Sequence, residues 1–215
     1  MNQKKTVTAT IGGLAKSRIE ALCDGVFAIA MTLMVFNIKV PTVAIAMGTT
    51  DLADALFVLW PQFVTYAISF VMLGVFWIGH HNQFHYIRRT DRVLLWINIT
   101  FLMFVTAIPF STQVLGQYRS QPTAVIFYAV NLILVGFLLY MQWWYATANA
   151  HLIDTDLDPT FTKLVGNRIL LGCAFLLFSI AMSIVSTRLS LLVFAAISIF
   201  YILPGRVDRH WAARK

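Results

Sequence analysis

The sequence predicts an all-α, polytopic membrane protein with six transmembrane helices per chain, and three observations lead to this prediction. Of the 215 residues, 59% are hydrophobic and only 12% are charged, which is about half the charged fraction of a typical soluble domain. The apolar residues are gathered into blocks close to the ~20 residues that a helix needs to cross the hydrocarbon layer. The third observation is the uneven distribution of Lys and Arg between the loops, which indicates a defined orientation in a membrane.

Six apolar spans can be placed along the chain. They cover residues 18–38, 53–79, 93–110, 123–146, 163–185 and 189–204. The chain then divides into an N-terminal segment of residues 1–17, a transmembrane domain of residues 18–204 and a basic tail of residues 205–215. The longest loop, residues 147–162, is too short to bury a core of its own. The function is therefore expected to lie within the membrane.

The basic residues indicate which side of the membrane holds the termini. Six spans place both termini on the same side as the loops after the second and fourth spans. That side carries Lys4, Lys5, Lys16, Arg18, Arg88, Arg89, Arg92, Lys163, Arg168, Arg206, Arg209, Arg214 and Lys215. The opposite side carries only Lys39, Arg119 and Arg188. This bias predicts that both termini are cytoplasmic, and it explains the net charge of +7 by topology and lipid contact rather than by nucleic-acid binding.

Several kinds of chemical site are disfavoured by the residues themselves. His81 and His85 have a spacing that zinc sites use, but no cysteine or carboxylate lies beside them. The segment DTDLDP opens like a calcium loop, yet Pro159 and Val165 stand where such a loop has Gly and Glu. Asp158 and Pro159 instead fit the cap and first turn of a helix. No nucleophile motif or phosphate-binding glycine loop is found, so we expect neither an enzyme nor a bound metal or cofactor.

The first span carries two carboxylates, Glu20 and Asp24, within RIEALCDGVFAIAMTLMVFNI. They are four residues apart, so they share one helix face, which we expect to pack on the subunit's own helices. A carboxylate within the hydrocarbon is costly and needs a partner. The side chains expected at the depth of Asp24 are Trp77, His80, His81, Asn98, Asn167 and Arg168. Two interpretations remain open, namely that Asp24 ties the helices together or that it carries a proton or ion.

The opposite side of the first span is apolar with one hydroxyl group. A helical wheel places Ile29, Thr32, Leu33 and Phe36 broadly on this side. One such face per subunit cannot enclose a pore, but symmetric copies arranged around an axis can. Apolar rings can gate a pore by dewetting, and a hydroxyl ring can replace part of an ion's hydration shell.

The stretch from Arg18 to Leu33 resembles the first-helix signature of the lysosomal potassium channel family, transmembrane protein 175, and its bacterial relatives. That signature has Arg, three residues, then Phe-Ser-Asp before a run of small and aliphatic residues. Arg18 and Asp24 match it, whereas Leu22 and Cys23 replace the Phe and the Ser. The resemblance extends to the end of the second span, with Trp77, His80 and His81, and to the third span, with Asn98.

The resemblance implies a potassium-permeable channel made of four six-helix chains, with potassium as the permeant ion. The first helices of the four subunits would line the pore, with no carbonyl filter. By position after the Asp, a hydrophobic constriction and a threonine layer fall on Ile29 and Thr32, with Leu33 and Phe36 further out. The family motifs would form a supporting hydrogen-bond network from Arg18, Asp24, Trp77, His80, His81 and Asn98.

Three functional hypotheses follow. The first is a homotetrameric, potassium-preferring cation channel in a bacterial plasma membrane, with no partner besides its own copies and the lipid bilayer. The second is a proton-coupled transporter of ions or small molecules that uses Glu20, Asp24 and His81, although no repeat relates spans 1–3 to spans 4–6. The third is a membrane assembly factor without transport activity.

Overall fold

A computed structural model describes residues 16–39, 51–148, 152–153 and 157–203. The described chain is helical, apart from a single pair of bridged residues, Ile87 and Ile153. Its seven α-helices are α1 (Lys16–Leu33), α2 (Leu52–Val58), α3 (Trp60–Tyr86), α4 (Arg92–Gln117), α5 (Pro122–Ala148), α6 (Pro159–Val185) and α7 (Thr187–Ile202). A 3₁₀ helix, Met34–Asn37, continues α1. Most of the predicted N-terminal segment and the whole basic tail lie outside the described residues and stay predictions.

Five helices in the described part of the chain are long and apolar enough to cross a membrane, namely α1 with its 3₁₀ extension and α3 to α6. The sixth expected span corresponds to α7, which has only 16 residues and is about 24 Å long, shorter than the ~30 Å hydrocarbon layer. The chain is thus an all-helical integral membrane protein, and the count of six spans stays a prediction.

The second span differs from its predicted bounds. Residues 53–79 were expected to form one helix, but the structure has a short α2 that ends at Val58 and a separate α3 that begins at Trp60. Pro61 lies in the first turn of α3, where a missing backbone N–H removes no helical hydrogen bond. At its other end α3 continues past Gly79 to Tyr86, so the polar segment that follows Gly79 is helical as well. Trp77, His80 and His81 therefore lie within a long helix rather than at its end.

Aspartates begin three of the helices. Asp51 accepts a hydrogen bond from the backbone N–H of Leu52, and Asp91 accepts one from that of Leu94, each at 2.8 Å. Asp158 accepts one from the N–H of Thr160 at 2.8 Å, with Pro159 in the first turn of α6. These contacts satisfy donors that have no partner within the helix. The predicted cap at Asp158 is confirmed.

The helices pack as one bundle in which α5 is the most buried of the five long helices. Helix α1 packs against α3 and α4, and α6 packs between α5 and α7. Two loops meet at one membrane end, where the N–H of Arg88 donates to the carbonyl of Leu152 at 2.8 Å. The α6–α7 contact is close because Gly172 has no side chain, and a Cβ atom there would lie 2.6 Å from the Tyr201 hydroxyl.

Candidate functional site

The buried face of α1 is offset by one residue from the face predicted to point inward. The buried residues are Ile19, Cys23, Phe27, Ala30 and Met34. The sequence predicts Glu20 and Asp24 on that side, but Asp24 is exposed and Glu20 is only partly buried. The carboxylate face is therefore not the buried one, although the expected contact of Asp24 with Trp77 of α3 is present. The helix instead buries uncharged side chains, among them Phe27, Met34 and Cys23. Burying them does not require a charge to be desolvated.

A second face of α1 is left uncovered by the rest of the chain. Ile29 is 60% exposed, Leu33 is 49% exposed and Phe36 is 76% exposed. Thr32 is exposed on the same side. These four residues form what we call the open stripe of α1. In a membrane protein the open stripe must contact lipid, another copy of the chain or an aqueous pathway.

The only hydroxyl of the open stripe has a fixed orientation. Thr32 Oγ1 donates a hydrogen bond to the backbone oxygen of Ile29 at 2.9 Å. A hydroxyl has one proton and two lone pairs, so this contact uses the proton and leaves lone pairs for another partner. The group can thus act as an acceptor toward a cation or a water molecule.

The inner face of α1 is joined to three other helices by a buried polar cluster. The cluster consists of Cys23, His80, Asn98 and Gln142, each at most 3% exposed. Asn98 Nδ2 donates to Cys23 Sγ at 3.3 Å, and its Oδ1 accepts from His80 Nε2 at 3.0 Å and from Gln142 Nε2 at 3.3 Å. Because the oxygen can only accept, this contact requires the His80 proton on Nε2. One asparagine therefore links α1, α3, α4 and α5.

Aromatic rings enclose the histidine of this cluster. The His80 ring stacks on Phe84, with centroids 4.4 Å apart, and on Phe101, with centroids 5.5 Å apart. Phe101 also contacts Phe27 of α1 at 5.9 Å. Buried polar groups are costly unless they are paired, so the cluster favours one rotation of α1 about its axis. That rotation is the one that leaves the open stripe uncovered.

The two carboxylates of α1 have different partners. Trp77 Nε1 donates to Asp24 Oδ1 at 2.8 Å, which joins α1 to α3 as one of the partners expected from the sequence. His81 stacks on Trp77 with ring centroids 5.8 Å apart. Glu20 pairs with Lys16 of its own helix at 3.6 Å. Asp24 is thus next to the polar cluster but outside it.

Arg18, the other residue of the sequence motif, is exposed, and the described part of the chain gives it no hydrogen bond or ion pair. The structure therefore brings His80 and Asn98 together as the resemblance implies, with Cys23 at the Ser position. It places Asp24, Trp77 and His81 in a separate contact beside them. The roles of all these residues in supporting a pore stay predictions.

The far end of α1 is also held by the chain's own helices. Asn37 Nδ2 donates to the carbonyl of Pro109 at 2.8 Å, and the Met34 sulfur lies 3.9 Å from the Thr112 hydroxyl. Both contacts join the end of α1 and its 3₁₀ extension to α4. Helix α1 is therefore anchored on both sides of the open stripe.

Two members of the polar cluster were missed from the sequence. Cys23 was named only as a replacement for the Ser of the family signature, and Gln142 was not considered. A glutamine in an apolar run such as LLYMQWW needs a buried partner. This feature of the sequence could have identified Gln142 as a member of the cluster. Within the described residues, no group of three His, Cys, Asp or Glu side chains is placed to hold a metal ion.

Comparison with known proteins gives consistent matches. The model of the family described as endosomal/lysosomal potassium channel TMEM175 matches residues 18–109. A protein of Streptomyces collinus that is named a potassium channel is 34% identical over 188 residues, which cover 86% of this chain and 90% of that protein. A crystal structure of a TMEM175 homologue from Chamaesiphon minutus, described as a lysosomal potassium-selective channel homologue, superimposes with a TM-score of 0.77. It is 31% identical, and the match covers 87% of this chain and 96% of that one.

A more distant relative covers part of the chain. The human protein named endosomal/lysosomal proton channel TMEM175 is 32% identical over 114 residues. These residues are 51% of this chain but only 23% of the human protein.

Proposed function

Because the chain belongs to the TMEM175 family of ion channels, we propose that it is one subunit of a potassium-preferring cation channel whose pore is lined by α1. The members of this family are channels rather than enzymes, and the chain is an integral membrane protein. The proposal adds a homotetrameric assembly and passive conduction, with potassium as the permeant ion. A bacterial plasma membrane with both termini cytoplasmic is the proposed location.

The observation that supports the pore assignment most is the open stripe of α1. Ile29, Thr32 and Leu33 lie within the span and stay uncovered, although the opposite face of the same helix is fully packed. The bonds of the polar cluster and of Asn37 fix this orientation within one chain. Copies around a symmetry axis would bring the stripes together as rings, which is how a closed assembly builds a pore from one face per subunit.

Each ring in such a pore would have its own task. A ring of Ile29 side chains is apolar and can exclude water when narrow, so it would act as the constriction. A ring of Thr32 hydroxyls would present oxygen lone pairs one helical turn further along, because each proton is used by the Ile29 carbonyl. Oxygen atoms so placed can replace part of an ion's hydration shell. Leu33 and Phe36 would form the wider part beyond.

The contacts around Asp24 favour a supporting role over direct transport. Its Oδ1 accepts a hydrogen bond from Trp77, and it lies on a different side of α1 from the open stripe. The ion path would therefore follow the open stripe of α1 rather than the side that carries the carboxylates. The tetramer itself rests on the symmetry argument and on the resemblance.

A second candidate is proton permeation or proton-coupled transport, because the mouse and human relatives are named as proton channels. Glu20, Asp24 and His81 would be the titratable groups. In that case, flux should saturate with substrate or follow the proton gradient, and Asp24→Asn should abolish it. The open stripe gives no titratable group for this path.

The test is an ion-flux assay on the purified chain in liposomes. Potassium, sodium and proton gradients are imposed in separate experiments, and the initial rate of vesicle depolarisation is measured for each. Potassium flux well above sodium flux, unaffected by Asp24→Asn, is expected. Flux that is carried only by protons would favour the second candidate. Loss of the potassium flux in Asp24→Asn, with potassium as the sole gradient, would also favour it. Absence of flux for all three ions would contradict the proposed channel.

A further inference from the structure

A cavity of about 290 Å³ lies away from α1, among α3, α5, α6 and α7. Its volume is close to the lower end of the range for small-molecule sites, about 300 Å³. Ile78 and Ile202 line it and are 51% and 63% exposed, so it opens on the side of the bundle between α3 and α7. None of its lining residues belongs to the open stripe or to the polar cluster.

The two ends of this cavity differ in chemistry. At the membrane end where α3 and α5 finish and α6 begins, its lining includes Asn82, Gln83, Tyr86 and Trp143. Toward the middle of the membrane the lining is apolar, with Met72, Phe76, Gly136, Leu176 and Ile197. A site with one polar end and one apolar end, aligned along the membrane normal, matches an amphipathic molecule that is oriented as a lipid is.

A buried acceptor at the polar end has no partner. Gln83 is 2% exposed, and its Nε2 donates to the carbonyl of Leu139 at 3.0 Å. The carbonyl can only accept, so this contact fixes which end of the amide is the oxygen. The Oε1 atom is then buried with no hydrogen-bond partner among the described residues. An unpaired buried acceptor costs free energy. A bound molecule with a hydrogen-bond donor would remove this cost.

The lining of the cavity also includes a positive charge. Arg168 lines the cavity in the third turn of α6, about 13 Å from the start of the helix, and its guanidinium lies 5.4 Å from the centre of the Tyr201 ring. The Tyr201 hydroxyl donates to the Arg168 carbonyl at 2.6 Å, so the tyrosine is held in place. An arginine at this depth extends toward the interface, and basic pockets between membrane helices bind lipid phosphates.

We propose that this cavity binds an anionic glycerophospholipid, with its phosphate on Arg168, a headgroup hydroxyl donating to Gln83 and part of one acyl chain between Phe76 and Leu176. A phosphate is the anion for which a guanidinium has a matching fork of donors. The glycerol hydroxyl supplies the donor that Gln83 Oε1 needs. The apolar inner end excludes a ligand that is charged throughout.

The test measures binding rather than conduction, so its outcome is separate from that of the proposed channel. The full chain is reconstituted in phosphatidylcholine vesicles that contain a phosphatidylglycerol probe with a photoactivatable group near the end of one acyl chain. After illumination, labelled peptides are identified by mass spectrometry. Labelling of Leu176 or Ile197 by this probe is expected, with much weaker labelling there by a phosphatidylcholine probe of the same chain. Equal labelling by the two probes would overturn the proposal.

Two variants locate the headgroup. Arg168→Gln should lower phosphatidylglycerol labelling in the cavity about tenfold, as expected from loss of one charge-assisted contact. Gln83→Met should lower it by a smaller factor. Lys163→Gln is the matched control, because Lys163 is an exposed basic residue of α6 that does not line the cavity. An equal decrease in Lys163→Gln and Arg168→Gln would indicate only a general attraction of anionic lipid, and would also overturn the proposal.

Discussion

The Thr32 hydroxyl donates a hydrogen bond to the carbonyl of Ile29, one turn earlier, at 2.9 Å, on a face of α1 that no other part of the described chain covers. The two residues proposed as a constriction and as an ion-binding layer are thus structurally coupled. The hydroxyl oxygen keeps its lone pairs as acceptors for another partner. This arrangement leads to separate predictions for the two residues.

Thr32→Ala should reduce the potassium-over-sodium permeability ratio by about fivefold, which corresponds to roughly 1 kcal/mol. The reason is that the hydroxyl oxygen would no longer replace water around the ion. Reversal potentials in planar bilayers under biionic conditions measure the ratio. Thr106→Ala is a matched control, because Thr106 makes the same kind of hydrogen bond, to Met103 at 2.7 Å, on an exposed side of α4. A lower permeability ratio in Thr106→Ala, or an unchanged ratio in Thr32→Ala, would argue against the threonine layer.

Ile29→Asn should raise the resting leak about tenfold, the effect of lowering a conduction barrier by ~1.4 kcal/mol. A polar ring would keep water in the constriction, whereas an isoleucine ring favours dewetting. Unitary current and open probability in bilayer recordings separate this effect from a change in channel number. Leu177→Asn, at a site on α6 that is 58% exposed, serves as the control and should leave the leak unchanged.

Cys23→Ser should leave the folded protein within about 1 kcal/mol of the parent, whereas Cys23→Val should destabilise it by about 1–3 kcal/mol. A serine hydroxyl can still accept from Asn98 Nδ2, but valine leaves that buried donor unpaired. Thermal unfolding in detergent, compared at one protein concentration, measures the difference. Cys173→Val provides the control, since Cys173 lies outside the polar cluster. Equal destabilisation by Cys23→Ser and Cys23→Val would show that the cluster does not depend on this hydrogen bond.

Trp77→Phe should destabilise the chain by about 1 kcal/mol, because it removes the 2.8 Å hydrogen bond to Asp24 but keeps an aromatic ring. Both residues are partly solvent- or lipid-accessible, so the effect is smaller than for a buried charged pair. Trp144→Phe, at a tryptophan that is 55% exposed, is the control in the same unfolding assay. If Asp24→Ala, which removes the acceptor, lowers stability by the same amount as Trp77→Phe and the double variant adds nothing further, the bond between the two side chains accounts for the loss.

The sequence predicted the helices well where hydrophobic blocks were continuous. The fourth span was expected at residues 123–146 and corresponds to Pro122–Ala148, and the first to Lys16–Asn37. The split between α2 and α3 was missed because residues 53–79 contain no charge after Asp54 and read as one apolar run. The break falls at Leu59, two residues before Pro61, which has no N–H to continue the helical hydrogen bonds, and hydropathy does not report this effect.

The open stripe was also predictable, but the inner face of α1 was not. Ile29, Leu33 and Phe36 are apolar and spaced for one side of a helix, and the structure leaves them uncovered. The inward direction was assigned from the need of Asp24 for a partner. One exposed tryptophan from α3 meets that need, whereas the partners of Cys23, namely His80 and Asn98, come from two different helices. Which side chains meet across helices is decided by packing, and a single sequence contains little information about it.

The claim that the open stripe of α1 lines the pore is tested most directly by cysteine accessibility during current recording. Phe36 and Leu33 are replaced singly by cysteine in a background with Cys23→Ser and Cys173→Ala, and Leu177→Cys is prepared as a control on the exposed side of α6. A charged, thiol-reactive methanethiosulfonate is then added while potassium current is measured. The account predicts that current falls in the Phe36 and Leu33 variants and stays constant in the Leu177 variant. Unchanged current in both stripe variants, with chemical labelling of the thiols confirmed by mass spectrometry, would contradict it.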